Sequence, residues 1–483
     1  MGVFFRCPGR SFGGIQETAC VPSKRHTWSI VHEDRERVVT LLEQGICDAI
    51  LPAVPRLLDG FAQFLLDHGV MEYLERFPDA RAPRSIPAFF FGHLLLVHRL
   101  LRLPSLRQLP AVLFRSAAVL RTLGFNLVQI EQGFYANGSQ RPFDEEAIAE
   151  FFAGLPASAL EAHQRELSNH LIDEFPALGE SGVFFLDGSK VSLPGARGHE
   201  ASSFLVCVLC AQVSERALPV RWSFHPHNVG SELVPGKALV AEALADWPAG
   251  TIRVLVADGG YLSGAWLAQL KALGIDVVIK VRENMSIYAD VLGLSRLGDA
   301  RWQPAPPPKR KGETITREVA FFSGLDSWEG CPLALCACLV RDRCPEWTEP
   351  RYQVIVSTLP PQRVTEVLGL QRARWAEEES FMALTRYWGI ERQTGGRRSL
   401  SRAKIHFTLL AYAVAALFAD QFQQQPLSPP VLTPQHEQVV YAGGCYAVLY
   451  LSEILDLVFA HYDIWRERWP VLRQHLRRAE RPP

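Results

Sequence analysis

The sequence lacks a surplus of charge of either sign. Among its 483 residues, Lys and Arg number 50 and Asp and Glu number 51, which leaves a formal net charge of -1 at pH 7. A chain with this balance has no global attraction to nucleic acid or to an acidic membrane surface. Binding to either would have to come from local basic patches, for which the arginine clusters near residues 397–404 and 466–481 are candidates.

Cysteine motifs, a secretory signal and a membrane-spanning run are also missing. The ten cysteines show no ordered pairing, and Cys207 and Cys210 fall in an apolar run that is typical of a strand rather than a zinc knuckle. Residues 1–6 do not begin a long apolar segment with a cleavage site. The most apolar stretches, 89–97 and 407–418, are too short to cross a bilayer and predict buried helices. Reduced thiols and a cytoplasmic location are therefore expected.

Two apolar runs each end in an aspartate that is followed by glycine. The first, 183–186, leads into Asp187 and the second, 252–257, leads into Asp258. Both runs are too short for a helix and predict buried strands. An aspartate before glycine is often only a turn residue, so neither aspartate alone indicates a site.

The residues after Asp258 predict a strand-helix-strand unit. Trp266, Leu270 and Leu273 recur at helical spacing, Gly274 suits the end of that helix, and a new apolar strand covers 275–280. In open α/β sheets functional residues collect at the carboxyl ends of the strands, which is where Asp258 falls. This placement favours a role in chemistry for Asp258.

A third acid lies on a predicted helix. Leu370, Arg374, Glu378, Phe381 and Leu384 are spaced three or four apart and predict one shared helix face. A carboxylate on such a face is costly unless it is paired or used. The neighbouring glutamates at 377 and 379 leave a solvated acidic face as the alternative interpretation. Two strand-end aspartates together with a helical glutamate are what a two-metal site requires, because hard divalent cations take oxygen ligands.

These stretches resemble the DDE transposases of bacterial insertion sequences, over roughly residues 180–420. The similar segments are 185–194, 256–261 and Arg374-Trp375 with Glu378 and Phe381 following. Many members carry Tyr-x2-Arg-x3-Glu-x6-Lys around the third acid. Here Arg374 and Glu378 match, whereas Gln371 stands at the tyrosine position and Thr385 at the lysine position, beside Arg386.

The resemblance implies a ribonuclease H-like catalytic core, which is an α/β fold with a mixed sheet and flanking helices. Asp187, Asp258 and Glu378 would then be the catalytic acids and would hold two Mg²⁺ or Mn²⁺ ions. The partner would be double-stranded DNA, at the element ends and at the target, bound by a homodimer. The protein would associate with the nucleoid when bound to DNA. The predicted DNA contacts are Lys190, Lys280, Arg282, Arg374, Arg386, Trp302 and Trp328.

Four segments are predicted along the chain. Residues 1–28 are expected to be a disordered tail, and 29–178 to be a helical domain that binds DNA ends or serves as a scaffold. Residues 179–425 would form the catalytic core, with a β-rich insertion at about 286–355, and 426–483 a C-terminal helical segment. In some family members aromatic residues of such an insertion hold a flipped base, which makes Trp302 and Trp328 candidates for stacking; packing in the core or on the surface is the alternative.

Two other functions compete with transposition. One is a DNA-binding descendant of a transposase that has lost catalysis, and the other is a different endonuclease on the same core. The presence of all three acids argues against the first. The long insertion and the Arg374-Glu378 pair argue against the second, because both resemble the transposase arrangement.

Overall fold

The fold, given by a computed structural model, contains a nine-stranded mixed sheet built from the apolar runs of the sequence. The structure describes residues 30–32, 47–53, 64–65, 67–78, 88–100, 105–106, 145–191, 204–226, 231–297, 300–308, 314–328, 330–386, 388–390, 398–421, 437–442 and 445–450. The predicted disordered tail, 1–28, lies outside the described residues. The chain forms two compact units, one made of Met1–His163 with Tyr387–Pro483 and the other of Gln164–Arg386.

The second unit holds the large sheet. Its strands are β3 (Val183–Val191), β4 (Phe204–Val213), β5 (Arg216–Pro226), β6 (Val254–Ala257), β7 (Asp276–Lys280), β8 (Gln303–Ala305), β9 (Thr316–Leu325), β10 (Leu335–Arg343) and β11 (Arg351–Ser357). Its helices are α5 (Ala177–Glu180), α6 (Leu233–Asp246), α7 (Gly264–Ala272), α8 (Ser286–Arg296), α9 (Val367–Ala373) and α10 (Trp375–Arg386), and α4 (Ala157–Glu174) crosses the boundary between the units.

The strand order is β5-β4-β3-β6-β7-β11-β10-β9-β8. β3 pairs with β4 in antiparallel and with β6 in parallel orientation, and β6 pairs with β7 in parallel orientation through α7. The predicted strand-helix-strand unit after residue 252 is therefore confirmed. Because β3 and β6 run side by side in the same direction, Asp187 and Asp258 lie toward the same edge of the sheet.

The strands β8 to β11 cover most of the range predicted for a β-rich insertion, about 286–355, although β11 ends two residues later and the range opens with α8. They do not form a sheet of their own, because β11 pairs with β7 in antiparallel orientation and continues the main sheet. β10 then pairs with β11 and β9. We call β8 to β11 the sheet extension.

The first unit combines helices with a small sheet. Its helices are α1 (Val70–Glu75), α2 (Ala88–Leu100), α3 (Glu145–Gly154) and α11 (Arg398–Gln421), and its strands are β1 (Ile30–His32), β2 (Cys47–Ala53), β12 (Glu437–Ala442) and β13 (Cys445–Tyr450), in the order β1-β13-β12-β2. The predicted helical segment at 426–483 was wrong for its described residues, which form β12 and β13. The predicted helical domain at 29–178 was wrong in part, because it also contains β1 and β2. Valine, tyrosine and leucine in β12 and β13 favour extended pairing.

Helix α11 is the buried helix of the first unit. Phe407 packs against Phe77 and Phe152, at ring separations of 5.8 and 6.0 Å. In the part of the chain that the structure describes, this is the one helix long and apolar enough to cross a membrane, and 83% of its most apolar window is buried inside the protein. A helix buried to this extent is typical of the core of a protein.

Candidate active site

Asp187 lies inside β3. Because successive side chains of a strand point to opposite faces of the sheet, its side chain points away from that of Leu186. On one face Phe184 packs against Trp247 with ring centroids 5.5 Å apart, and Leu186 lies against Gly236 of α6. Asp187 points to the other face, as successive strand residues must. Its carboxylate accepts a hydrogen bond from the Gly188 amide at 2.8 Å. The strand thus carries a half-buried carboxylate at a fixed position.

Asp258 follows the last residue of β6 and opens the tight turn Gly259–Tyr261. Its carbonyl accepts a hydrogen bond from the Tyr261 amide at 2.9 Å. Gly259 is required there, because a methyl group at this position would lie 2.8 Å from the Lys280 carbonyl oxygen at the end of β7. The turn therefore holds Asp258 at the carboxyl end of β6, as the sequence predicted.

Glu378 is positioned by α10, which begins at Trp375. The predicted continuous helix face from Leu370 to Leu384 was wrong, because the helix breaks at Arg374 between α9 and α10. Across this break the Arg374 guanidinium donates from Nη2 to Glu378 Oε1 at 2.5 Å. The side chain of Glu378 is 37% exposed, so the pair lies at the rim of the unit rather than in its core.

An open cleft brings the first and third acids together. It has a volume of ≈ 320 Å³ and is lined by Asp187, Gly188, Ser189, Glu378, Phe381, Met382 and Thr385. Carboxylates enter it from the sheet and from α10, with apolar side chains on the helical side. Thr385, the residue at the family's lysine position, also lines this cleft.

Glu377, which the sequence analysis did not select, is the fully buried acid of α10. Its side chain is 0% exposed, and neither carboxylate oxygen has a hydrogen-bond partner among the described residues. Burial raises the pKa of Glu377 well above its usual range, Asp187 raises it further, and Arg374 opposes the rise. Ser380 fixes the helix here by donating to the Ala217 carbonyl of β5 at 2.8 Å. A buried carboxylate thus faces the same acids as Glu378.

Negative charge accumulates around Asp187. Burial raises its pKa to about 6 from the usual 3.8, and the neighbouring carboxylates of Asp258 and Glu232 contribute to the rise. The Gly188 amide and Arg374 act in the opposite direction. Carboxylates that repel each other in a partly dry site favour binding of a proton or a cation. Glu232 was not among the acids predicted from the sequence, because its place beside Gly188 depends on the fold of the β4-β5 hairpin and α6.

Three of the predicted DNA contacts are exposed near the acids. Lys190 lies near the end of β3, Lys280 ends β7, and Arg282 follows two residues later. The Arg282 side chain reaches the turn after Asp258, since a methyl group at Gly260 would lie 3.3 Å from Nη2. The side chain of Arg386 lies outside the described residues.

Three tryptophans lie in and beside the sheet extension. The Arg341 guanidinium covers the Trp302 ring at 3.8 Å, and Arg351 covers Trp347 at 4.0 Å. Trp328 is half-buried beside Gly330. Trp302 therefore has one ring face occupied by an internal cation.

The acids offer a donor set suited to a hard divalent cation. Among the described residues, no three His, Cys, Asp or Glu side chains are grouped closely enough to hold an ion as they stand. The donors of Asp187, Asp258 and Glu378 are nevertheless all carboxylate oxygens, which Mg²⁺ and Mn²⁺ prefer. The raised pKa of Asp187 shows that its ionised form is disfavoured in this site, and a cation beside it would favour that form. These residues fit the cation.

Comparison with known proteins identifies the segment that contains these acids. Residues 179–414 match the family described as the transposase DDE domain. No curated protein matches the chain in sequence. Among the solved structures that match is a cryo-EM structure of the piggyBac transposase synaptic complex with hairpin DNA, at 11% sequence identity and a TM-score of 0.38, with 88% of this chain and 86% of that chain covered. The family match supports a DDE-type transposase, and this family generally uses divalent metal ions.

Proposed function

We propose, starting from the match of residues 179–414 to the transposase DDE domain, that this protein cleaves DNA at the ends of a mobile element and joins those ends to target DNA. One observation supports this proposal most strongly. Asp187 and Asp258 stand on the neighbouring parallel strands β3 and β6, and Asp187 shares a cleft with Glu378. Two strand-end aspartates, and a helical glutamate that lines the same cleft as the first of them, are the kind of carboxylates that the proposed metal site needs.

The proposed reaction has two steps. In the first, a water oxygen attacks a phosphodiester in line, and the 3′ oxygen of the element end leaves. In the second, that 3′-OH attacks a phosphodiester of the target, so the new bond replaces the one that is broken. Two Mg²⁺ or Mn²⁺ ions, when bound, would polarise the phosphate and favour deprotonation of the attacking oxygen.

The protein's own residues would hold and orient the reactants. Asp187, Asp258 and Glu378 would be the metal ligands, and Arg374 would fix the rotamer of Glu378 through its hydrogen bond. Lys190, Lys280 and Arg282 would contact phosphates beside the acids, because they are exposed at the same edge of the sheet. Such a site needs no covalent nucleophile from the protein.

The sheet half β5-β4-β3-β6-β7 would be a ribonuclease H-like core, as in transposases of bacterial insertion sequences. Trp328 is the better candidate for stacking on a base, since one face of Trp302 is covered by Arg341. A homodimer on double-stranded DNA would bring two element ends together. The protein would act in the cytoplasm, at the nucleoid.

The experiment is a cleavage assay on DNA that carries the terminal inverted repeats flanking this gene. We expect nicks at the repeat ends with Mg²⁺ or Mn²⁺ and none with EDTA, followed by joining of the ends to a plasmid. Asp187→Ala should stop cleavage and leave DNA binding intact. Binding without cleavage by the intact protein would instead indicate a DNA-binding descendant, and cleavage at branched DNA regardless of the repeats would indicate another endonuclease.

A further inference from the structure

Glu232 places a fourth carboxylate at the edge of the sheet where the two aspartates stand. It directly precedes α6, and its side chain reaches the glycines that follow those aspartates in the chain. A methyl group at Gly188 would lie 3.0 Å from Glu232 Oε2, and one at Gly260 would lie 3.8 Å from the same oxygen. One carboxylate oxygen therefore sits between the residue after Asp187 and the turn that begins at Asp258.

The charges around Glu232 are those of the candidate active site. Burial raises the pKa of Glu232 and Asp258 raises it further, whereas Lys190 and Arg282 lower it. The pKa of Asp187 is in turn raised by Asp258 and by Glu232, in addition to the effect of burial. Glu232 thus contributes to the electrostatic environment of Asp187, although the two residues stand on separate elements of the chain.

Capping of α6 does not explain this placement. An acid at a helix N-terminus commonly accepts a backbone hydrogen bond or balances the helix dipole. The Glu232 side chain makes no capping hydrogen bond. The hydroxyl of Ser231 accepts from the Leu233 amide instead, at 3.2 Å. The Glu232 carboxylate instead lies beside Gly188 and Gly260, the glycines near Asp187 and Asp258.

A second observation indicates that this group of acids binds a cation. Glu377, on the other side of β3, is 0% exposed, and both its carboxylate oxygens lack hydrogen-bond partners among the described residues. Its largest interaction with another charged group is with Asp187. Glu232 and Glu377 thus both act on Asp187, and among the described residues Arg374 is the cation that opposes the rise in the pKa of Asp187 and of Glu377.

We propose that Glu232 is a fourth acidic ligand of the divalent metal site, supplied from the α6 face of the sheet while Glu378 is supplied from α10. This inference rests on the proposed function, because it assumes that Asp187 and Asp258 hold the cation. In this position Glu232 would add one oxygen donor to those of the two aspartates.

The test measures metal binding without DNA. Mn²⁺ is titrated into the full-length protein by isothermal calorimetry for the intact chain, Glu232→Gln, Glu232→Asp and Glu242→Gln. Glu242 is an exposed glutamate of the same helix and serves as the matched control. Glu232→Gln is expected to weaken Mn²⁺ binding by ~10-fold or more, the range seen when a group that supports a metal site is lost. Glu232→Asp should recover part of the affinity, and Glu242→Gln should bind like the intact protein.

Asp187→Asn separates the failure of this inference from that of the proposed function. If Asp187→Asn weakens Mn²⁺ binding and Glu232→Gln does not, Glu232 is not a ligand and the inference is overturned while the metal site stands. If the intact protein does not bind Mn²⁺, the proposed metal site fails and the inference fails with it. Should Glu232→Gln not fold, Glu232→Ala replaces it, since it also removes the carboxylate; unchanged Mn²⁺ affinity in that variant would overturn the inference equally.

Discussion

The two halves of the nine-stranded sheet differ in how their charges are balanced. Around β3 and β6, burial raises the pKa of Asp187 and of Glu232, and neighbouring carboxylates raise both values further. In the sheet extension, Arg317 donates to Asp342 through two hydrogen bonds of 2.6 Å. Arg341 likewise pairs with Glu318 at 2.8 Å and covers Trp302.

The charged side chains of the sheet extension stabilise the fold through ion pairs. The acids near β3 and β6 have the properties of groups that bind a ligand. A buried ion pair with good geometry satisfies itself and needs nothing from solution. A cluster of like charges is unfavourable until a cation arrives, so it is retained where function requires it. The acidic half of the sheet should therefore respond to metal and pH, and the extension should respond to neither.

The largest effect is expected from Asp187→Asn. Loss of one carboxylate of the site should lower the rate of DNA cleavage by about three orders of magnitude, because a metal ion contributes several kcal/mol to such a reaction. Single-turnover nicking of end DNA measures this effect. The control is Asp326→Asn, an exposed aspartate after β9, which should cleave at the normal rate. If both variants lose the same fraction of the cleavage rate, the carboxylates near β3 have no special role in the reaction.

The next effect is one of stability and belongs to the extension. Arg317→Ala should lower the free energy of unfolding by about 3 kcal/mol, because it leaves the buried Asp342 carboxylate without its partner. Urea unfolding measures the loss. The exposed pair of Arg363 with Glu366 provides the comparison, and Arg363→Ala should cost about 1 kcal/mol or less. A loss for Arg317→Ala as small as this would mean that the buried pair does not stabilise the extension.

A third prediction concerns stability: replacing an aspartate by asparagine should stabilise the protein in the acidic half of the sheet and destabilise it in the extension. The pKa of Asp187 is about 6 in the fold and near 3.8 when exposed, so its ionised form opposes folding. In metal-free protein this destabilisation is absent below pH 3.8, grows as the pH rises through about 6, and is complete above that. Asp187→Asn should therefore be more stable than the intact protein at pH 7.5, by about 3 kcal/mol, with almost no difference at about pH 3.

Asp342→Asn should instead destabilise the protein at pH 7.5, because Arg317 would lose its charged partner. Thermal unfolding in EDTA at both pH values measures the two variants together. Destabilisation by Asp187→Asn at pH 7.5 would contradict the account of the acidic half. Added Mn²⁺ should raise the unfolding temperature of the intact protein and not that of Asp187→Asn.

The smallest effect is expected at Trp302. Trp302→Leu removes the stacking of Arg341 and should cost about 1 kcal/mol of stability or less. If Trp302 serves only this internal contact, its loss will leave the affinity for end DNA unchanged. A clear fall in DNA affinity at unchanged stability would show instead that the free face of Trp302 takes part in binding.

Local patterns in the sequence were sufficient for the aspartates. Two short apolar runs that each end in Asp-Gly, and the helix and strand after Asp258, predict β3, β6, α7 and β7, because each element depends on neighbours in the chain. The pairing of β11 with β7 could not be predicted in this way, since it joins segments that are distant in sequence. Glu232 was missed for the same reason, because its meeting with Gly188 exists only after the hairpin and α6 are in place.

The third acid shows where helical spacing fails. Spacing places Arg374 and Glu378 on one face, and their hydrogen bond agrees with that. The helix nevertheless breaks at Arg374, and the face of α10 that packs inward carries Glu377, Ser380 and Leu384. The face of α10 that is buried is set by its packing against β5, and the spacing of apolar residues within α10 does not predict it.

The most direct test of the three-acid site compares cleavage of end DNA by Glu378→Gln and by Glu377→Gln, each checked for folding and for DNA binding. The two variants make the same chemical change at adjacent positions of α10. If Glu378 completes the site with Asp187 and Asp258, Glu378→Gln loses Mg²⁺-dependent cleavage and Glu377→Gln keeps it. Cleavage that survives Glu378→Gln and disappears in Glu377→Gln would contradict the assignment of Glu378 as the third acid, and cleavage that survives both changes would contradict a catalytic site on α10.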